Sequence, residues 1–89
     1  MAREVRIPLS DNQKKTLQFI VDYIDRRGYP PTIPEIQEGL GYRNPGYVYK
    51  ILIYLEKKGY ISRRKGEHRG IRLTELSESM TSSYQLSFL

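Results

Sequence analysis

The chain has 89 residues, 15 Lys/Arg against 10 Asp/Glu for a net charge of +5, and no cysteine; it is sized for one small domain held by apolar packing, without disulfides or thiolate metal sites. Its apolar stretches are short and broken by charge, far from the ~20 residues of a bilayer span, and its first residues lack a secretory pattern, so a cytoplasmic protein is expected. Residues 1–42 hold 6 basic and 6 acidic residues, residues 43–72 hold 9 against 2, and residues 73–89 hold two acidic residues and no basic one, a block of charge that is either a polyanion-binding face or a plain solvated surface.

Ser10 followed three residues later by Gln13 predicts a helix start, because each side chain can satisfy an orphan amide of the first turn. Leu17, Ile20, Val21 and Ile24 then recur at helical spacing, widened by Phe19 and Tyr23, and Gly28 ends the helix. Tyr29, Pro30 and Pro31 make a stiff connector. Thr32 with Glu35 repeats the capping pattern, and Pro34 is harmless in a first turn, so a short helix over about 33–40 is expected, with Ile36 and Leu40 inward and Gly41 as its stop. Tyr42 and Arg43 turn the chain. Asn44 and Pro45 read as cap and first residue of a third helix running to about Lys58. Val48, Ile51, Leu52 and Leu55 share its core face, and the opposite side carries Gly46, Lys50, Ile53 and Lys57, flanked by Tyr47, Tyr49 and Tyr54. Residues 60–64 and 71–73 then read as two strands around a turn at 65–70. The expected organisation is a mainly α domain with a small β-hairpin over residues 1–74 and a polar tail over 75–89, in which Tyr84, Leu86 and Phe88 alternate with polar residues.

Two helices joined by a tight glycine-containing turn, the second with a basic outer face, match the helix-turn-helix, whose second helix enters the major groove. The added hairpin makes three helices plus a two-stranded wing. Pro30-Pro31-Thr32, Glu35-Ile36, Leu40 through Pro45, Leu55 through Ile61, and Arg69 through Leu73 resemble the N-terminal DNA-binding domain of LexA-type repressors, in order and at that family's spacing over about residues 9–73. The resemblance implies a winged helix-turn-helix, a sequence-specific regulator of double-stranded DNA acting as a repressor, and base reading at Asn44, Gly46, Tyr47, Tyr49 and Lys50. Backbone contacts are expected from Thr32, Arg43, Tyr54, Lys57, Arg63, Arg64, Lys65, His68 and Arg69.

The departures are informative. Where SOS repressors of this family carry an Asn, an Ala and a pair of Glu residues early in the recognition helix, this chain has Gly46, Tyr47, Tyr49 and Lys50. Glu accepts from cytosine whereas Lys donates to guanine, so a different operator is expected. The family's self-cleavage domain, with its Ser-Lys dyad, has no counterpart in the 16 residues after Leu73, and neither autoproteolysis nor dimerisation through that domain is carried over. A homodimer on DNA stays open, since groove-reading helices commonly act on paired half-sites, and Tyr84, Leu86 and Phe88 are expected to pack on the domain or on a second chain.

Each residue also has a plainer reading. Lys50 either donates to a guanine or a phosphate, or only keeps an exposed helix solvated. The tyrosines either meet thymine methyls and phosphates or pack beside the wing. Ile53 faces away from the core, toward a thymine methyl, the first strand or a second protomer. Arg63, Arg64, Lys65 and Arg69 cluster at the hairpin, as phosphate contacts or as a solvated wing. His68 is the sole histidine and lacks partners at ligand spacing, so no metal is expected. Nor is catalysis or a small-molecule cofactor: there is no Cys nucleophile, no supported Ser and no phosphate-cradling loop. The competing reading is a protein-interaction winged helix, with the tyrosines and Ile53 as its patch and the basic block incidental.

Overall fold

A computed structural model of the chain describes residues 9–77. Its elements are α1 (Asp11–Arg27), α2 (Ile33–Leu40), α3 (Pro45–Lys57), β1 (Ile61–Arg63) and β2 (Ile71–Leu73), which is the three-helix domain with a hairpin that the sequence pattern predicts. Tyr84, Leu86 and Phe88 lie outside the described residues.

The helix starts form where local chemistry places them. The Ser10 hydroxyl accepts from the Gln13 amide while the Gln13 side chain accepts from the Ser10 amide, and Thr32 and Glu35 do the same at the start of α2. Asn44 Oδ1 accepts from the Tyr47 amide at 2.9 Å, leaving the missing amide of Pro45 without consequence. Gly28 and Gly41 close α1 and α2 in the left-handed conformation, at φ 81° and 72°. The third helix stops at Lys57, one residue before the expected Lys58. Lys58 still bonds its amide to the Tyr54 carbonyl, but Gly59, at φ 87°, turns the chain away before another helical turn can form.

One core joins the three helices and the hairpin. It contains Leu17, Ile20 and Val21 of α1, Ile36 of α2, Val48, Ile51, Leu52 and Leu55 of α3, and Tyr60, Ile61 and Ile71 around the hairpin, with Ile24 and Leu40 only partly buried against it. The buried face of α3 is the one its 3.6-residue periodicity selects. Each helix packs on the other two, and β1 packs on α3.

The strands run antiparallel with Ile61 opposite Leu73, Ser62 opposite Arg72 and Arg63 opposite Ile71. β2 covers the expected 71–73, whereas β1 is shorter than the expected 60–64: Tyr60 is buried ahead of it, and the Arg64 amide donates to the Gly70 carbonyl at 2.9 Å, closing the loop. Side chains alternate along a strand, so Arg63 lies on the same face as Ile61 and Ile71 and Ser62 on the other. Past the hairpin, the Ser77 hydroxyl is buried and donates to the Tyr60 carbonyl at 2.7 Å, anchoring the start of the following segment.

Candidate nucleic-acid interface

The turn between α2 and α3 sets the direction of the helix that carries the basic face. Gln37 Nε2 donates to the carbonyls of Tyr42 and Arg43, and the Tyr42 amide donates to the Gln37 carbonyl, so the short turn is tied to α2 along its length. The outward side of the first turns of α3 then presents Gly46, Tyr47, Tyr49 and Lys50, all exposed, with Tyr54 and Lys57 exposed farther along.

Tyr47 is exposed yet held in place. Its hydroxyl accepts from Asn12 Nδ2 at 2.6 Å, and its ring meets Tyr42 edge to face with centroids 5.0 Å apart. The Tyr42 hydroxyl in turn lies 3.1 Å from the hydroxyl of Thr16, a fully buried residue that donates to the Asn12 carbonyl at 2.7 Å. Lys58 donates to Gln13 Oε1, joining the far end of α3 to the cap of α1. The start of α1 thus braces the exposed tyrosine of α3. The Asn44 carbonyl oxygen is taken by the helix cap, leaving its amide group as a donor.

The structure divides the cations that the sequence groups on the hairpin. Arg63 turns toward α3: its guanidinium sits 4.7 Å from the Tyr49 ring centroid, and its Nε lies 3.4 Å from Glu56 Oε1. Arg69 turns toward α2. It makes a two-pronged pair with Glu35, Nη1 to Oε1 at 2.8 Å and Nη2 to Oε2 at 2.9 Å, donates to the Pro30 carbonyl at 2.8 Å, and stacks over the Tyr29 ring. The guanidinium, followed by the Thr32 amide, holds the Glu35 carboxyl well below the usual carboxylate range. Arg72 reaches Glu67 and the Arg69 carbonyl. By contrast Arg43, Lys50, Lys57, Arg64, Lys65 and His68 are exposed and form no ion pair or side-chain hydrogen bond among the described residues.

The base-reading set expected from the sequence, Asn44, Gly46, Tyr47, Tyr49 and Lys50, falls on one helix end. The backbone set is more scattered. Thr32 is 9% exposed and its hydroxyl caps α2; Arg43 lies in the turn; Arg64, Lys65 and His68 are on the hairpin loop, and Arg64 and His68 line a cleft together with Thr32, Ile33 and Arg63. Sequence reasoning missed Asn12, Glu35 and Glu56 as partners of this surface. Arg63 carried a usable signal, its even spacing from Ile61, whereas the pairing of Arg69 with a residue 34 positions earlier had none. Among the described residues no group of three or more His, Cys, Asp or Glu is placed to hold a metal ion, and no helix is long and apolar enough to cross a membrane.

Comparison with known proteins bears on this surface directly. The profile of the LexA DNA binding domain matches residues 6–70. The chain is 45% identical over 67 residues to the LexA repressor of Halorhodospira halophila, covering 75% of this chain and 30% of that protein. It is 43% identical over 65 residues to the LexA repressor of Carboxydothermus hydrogenoformans, covering 73% and 32%, and 40% identical over 67 residues to that of Thermotoga maritima, covering 75% and 34%. The chain spans about a third of the length of these relatives.

Proposed function

Because the chain belongs to the LexA DNA-binding domain family, we propose that it is a sequence-specific double-stranded DNA-binding transcriptional repressor. The start of α3 enters the major groove, and the hairpin loop lies along the flanking backbone. The observation that carries this reading is the division of cations on one surface: Lys50, Lys57, Arg64 and Lys65 form no ion pair or side-chain hydrogen bond among the described residues, while Arg63 and Arg69 are already paired with Glu56 and Glu35. Free cations at groove and backbone positions are available to replace counterions condensed on DNA.

In this reading Lys50 donates to a guanine edge and Tyr47 offers its braced ring to a thymine methyl or its hydroxyl proton to a phosphate. Asn44 contributes its amide donor, and Gly46 allows close approach of the helix start. Tyr49 contributes the ring face that Arg63 leaves open. Arg43, Lys57, Arg64, Lys65 and His68 hold phosphates, with Thr32 and Tyr54 at the margins. The preferred operator then differs from that of relatives with acidic residues on the recognition helix. Two chains on adjacent half-sites would follow the usual geometry of groove-reading helices, and DNA binding places the protein on the nucleoid. No catalytic step is assigned to it.

Selection of bound duplexes from a random pool tests the proposal. Enrichment of a defined motif, with guanine at a position lost on Lys50→Ala, is the expected result; a pool that stays random after repeated rounds contradicts it.

A further inference from the structure

The hairpin packs on α3 through β1, but nothing in a two-stranded ribbon of three residues per strand fixes how its loop stands relative to α2. Such a ribbon is marginal by itself. Ile61 and Ile71 share the core with Ile36, but among the described residues the hydrogen bonds and ion pair that cross from the loop to α2 and its lead-in belong to Arg69. It sits at the end of the loop, next to Gly70, whose carbonyl accepts from Arg64 to close that loop. Its guanidinium reaches both carboxylate oxygens of Glu35, the carbonyl of Pro30 and the face of Tyr29. Glu35 is itself the third residue of α2 and accepts from the Thr32 amide at 2.9 Å, so the pair joins the loop to the cap that starts the helix-turn-helix. A planar fork gripping a carboxylate at two points fixes orientation as well as distance, which one ammonium cannot do.

We infer that Arg69 is a positioning residue for DNA binding: its two-point grip on Glu35 sets the attitude of the hairpin loop to α2, so that Arg64, Lys65 and His68 meet the backbone while α3 occupies the groove. Arg69 itself makes no phosphate contact. This rests on the function proposed above, and the two can fail separately. The alternative role, a cation that leaves Glu35 to bind phosphate, makes opposite forecasts for Glu35, because removing the carboxylate would then release Arg69 to the DNA.

The experiment uses the full chain with Arg69→Gln, Arg69→Lys, Glu35→Gln and the double Arg69→Gln/Glu35→Gln. Gln at position 35 keeps an oxygen to cap α2, but removes the charge and replaces the second acceptor of the grip with an NH2 donor. Affinity for a selected duplex is read over a salt series, with amide exchange at Arg64 in the DNA-free chain as the second readout. The positioning role predicts that Arg69→Gln and Glu35→Gln each weaken binding by a similar factor, of order ten. The double variant is then no weaker than the worse single one, Arg69→Lys behaves as Arg69→Gln, and exchange at Arg64 quickens in all four. The inference is overturned if Glu35→Gln binds as tightly as the parent or more tightly, or if Arg69→Lys restores affinity. Unchanged exchange at Arg64 overturns it also. If the parent chain binds no duplex, the proposed function fails, and the exchange readout alone decides whether the grip orders the loop.

Discussion

Asn12 donates to the Tyr47 hydroxyl at 2.6 Å, across 35 positions of sequence. An exposed side chain on the outward face of α3 is thereby held by the first turn of α1. Because the hydroxyl accepts this bond, its own proton remains to be donated outward. Asn12→Ala should leave the fold intact, since the bond is exposed and worth about 0.5–1.5 kcal/mol at most, but should lower the ratio of specific to random DNA affinity. Tyr47→Phe should lower it by a similar amount, and the two together by little more than either. Additive losses would mean that Asn12 and Tyr47 act independently.

Reading and holding should separate by position. Lys50→Ala should relax base preference at one operator position and cost about 1–3 kcal/mol on the selected duplex, with little effect on random DNA. Arg64→Ala should weaken both duplexes alike and reduce the salt slope by about 0.9 in log units, the signature of one phosphate contact. Fluorescence anisotropy titrations of both duplexes at several salt concentrations check the pair.

Gly70 is required by close approach. A Cβ there would stand 2.6 Å from the Arg64 carbonyl oxygen and 3.2 Å from that of Glu67, both backbone atoms that cannot swing aside. Gly70→Ala should cost about 1–3 kcal/mol, in the range of other overpacking changes, and its damage should fall on the hairpin. A thermal melt combined with amide exchange at Arg64 measures both effects.

The Glu35 carboxyl, held low by Arg69 and by the Thr32 amide, gives the fold a defined pH response. A carboxyl whose value is depressed on folding adds stability that is complete above its unfolded value of about 4.3 and is lost progressively as the pH falls from there through the depressed folded value. The pair is partly exposed, so its contribution is modest. Melting temperatures of the parent and of Glu35→Gln should therefore differ near about pH 6, and the gap should narrow progressively as the pH falls below about 4.3, closing only when it passes the depressed folded value. A gap that does not narrow as the pH falls below about 4.3 would assign the effect of the substitution to something other than the charge.

Much of the fold is legible in the sequence because its determinants are local. Ser10 with Gln13, Thr32 with Glu35, and Asn44 before Pro45 each specify a helix start within four residues, and Val48, Ile51, Leu52 and Leu55 mark the buried face of α3 by spacing alone. The exposed start of α3 follows from that same spacing. What distinguishes one arginine of the hairpin from another does not, because Arg69 finds its partner in α2 and Arg63 finds Tyr49 and Glu56 in α3. Such pairs depend on how elements dock, and a run of basic residues reads the same whether its charges are free or already engaged. Thr16 was likewise invisible as a core residue, since its burial depends on hydroxyl partners supplied by Asn12 and Tyr42.

The most direct measurement of the central claim is the affinity of the chain for a selected and a random duplex, each titrated over the same range of salt. A repressor domain that reads the groove through α3 and holds phosphates with the free cations should show log affinity falling linearly with log salt, by about 0.9 per phosphate held, on both duplexes. At each salt concentration the selected duplex should bind more tightly by at least about a thousandfold. Equal affinity for the two duplexes would contradict base reading by α3, and an affinity indifferent to salt would contradict the assignment of these cations to DNA.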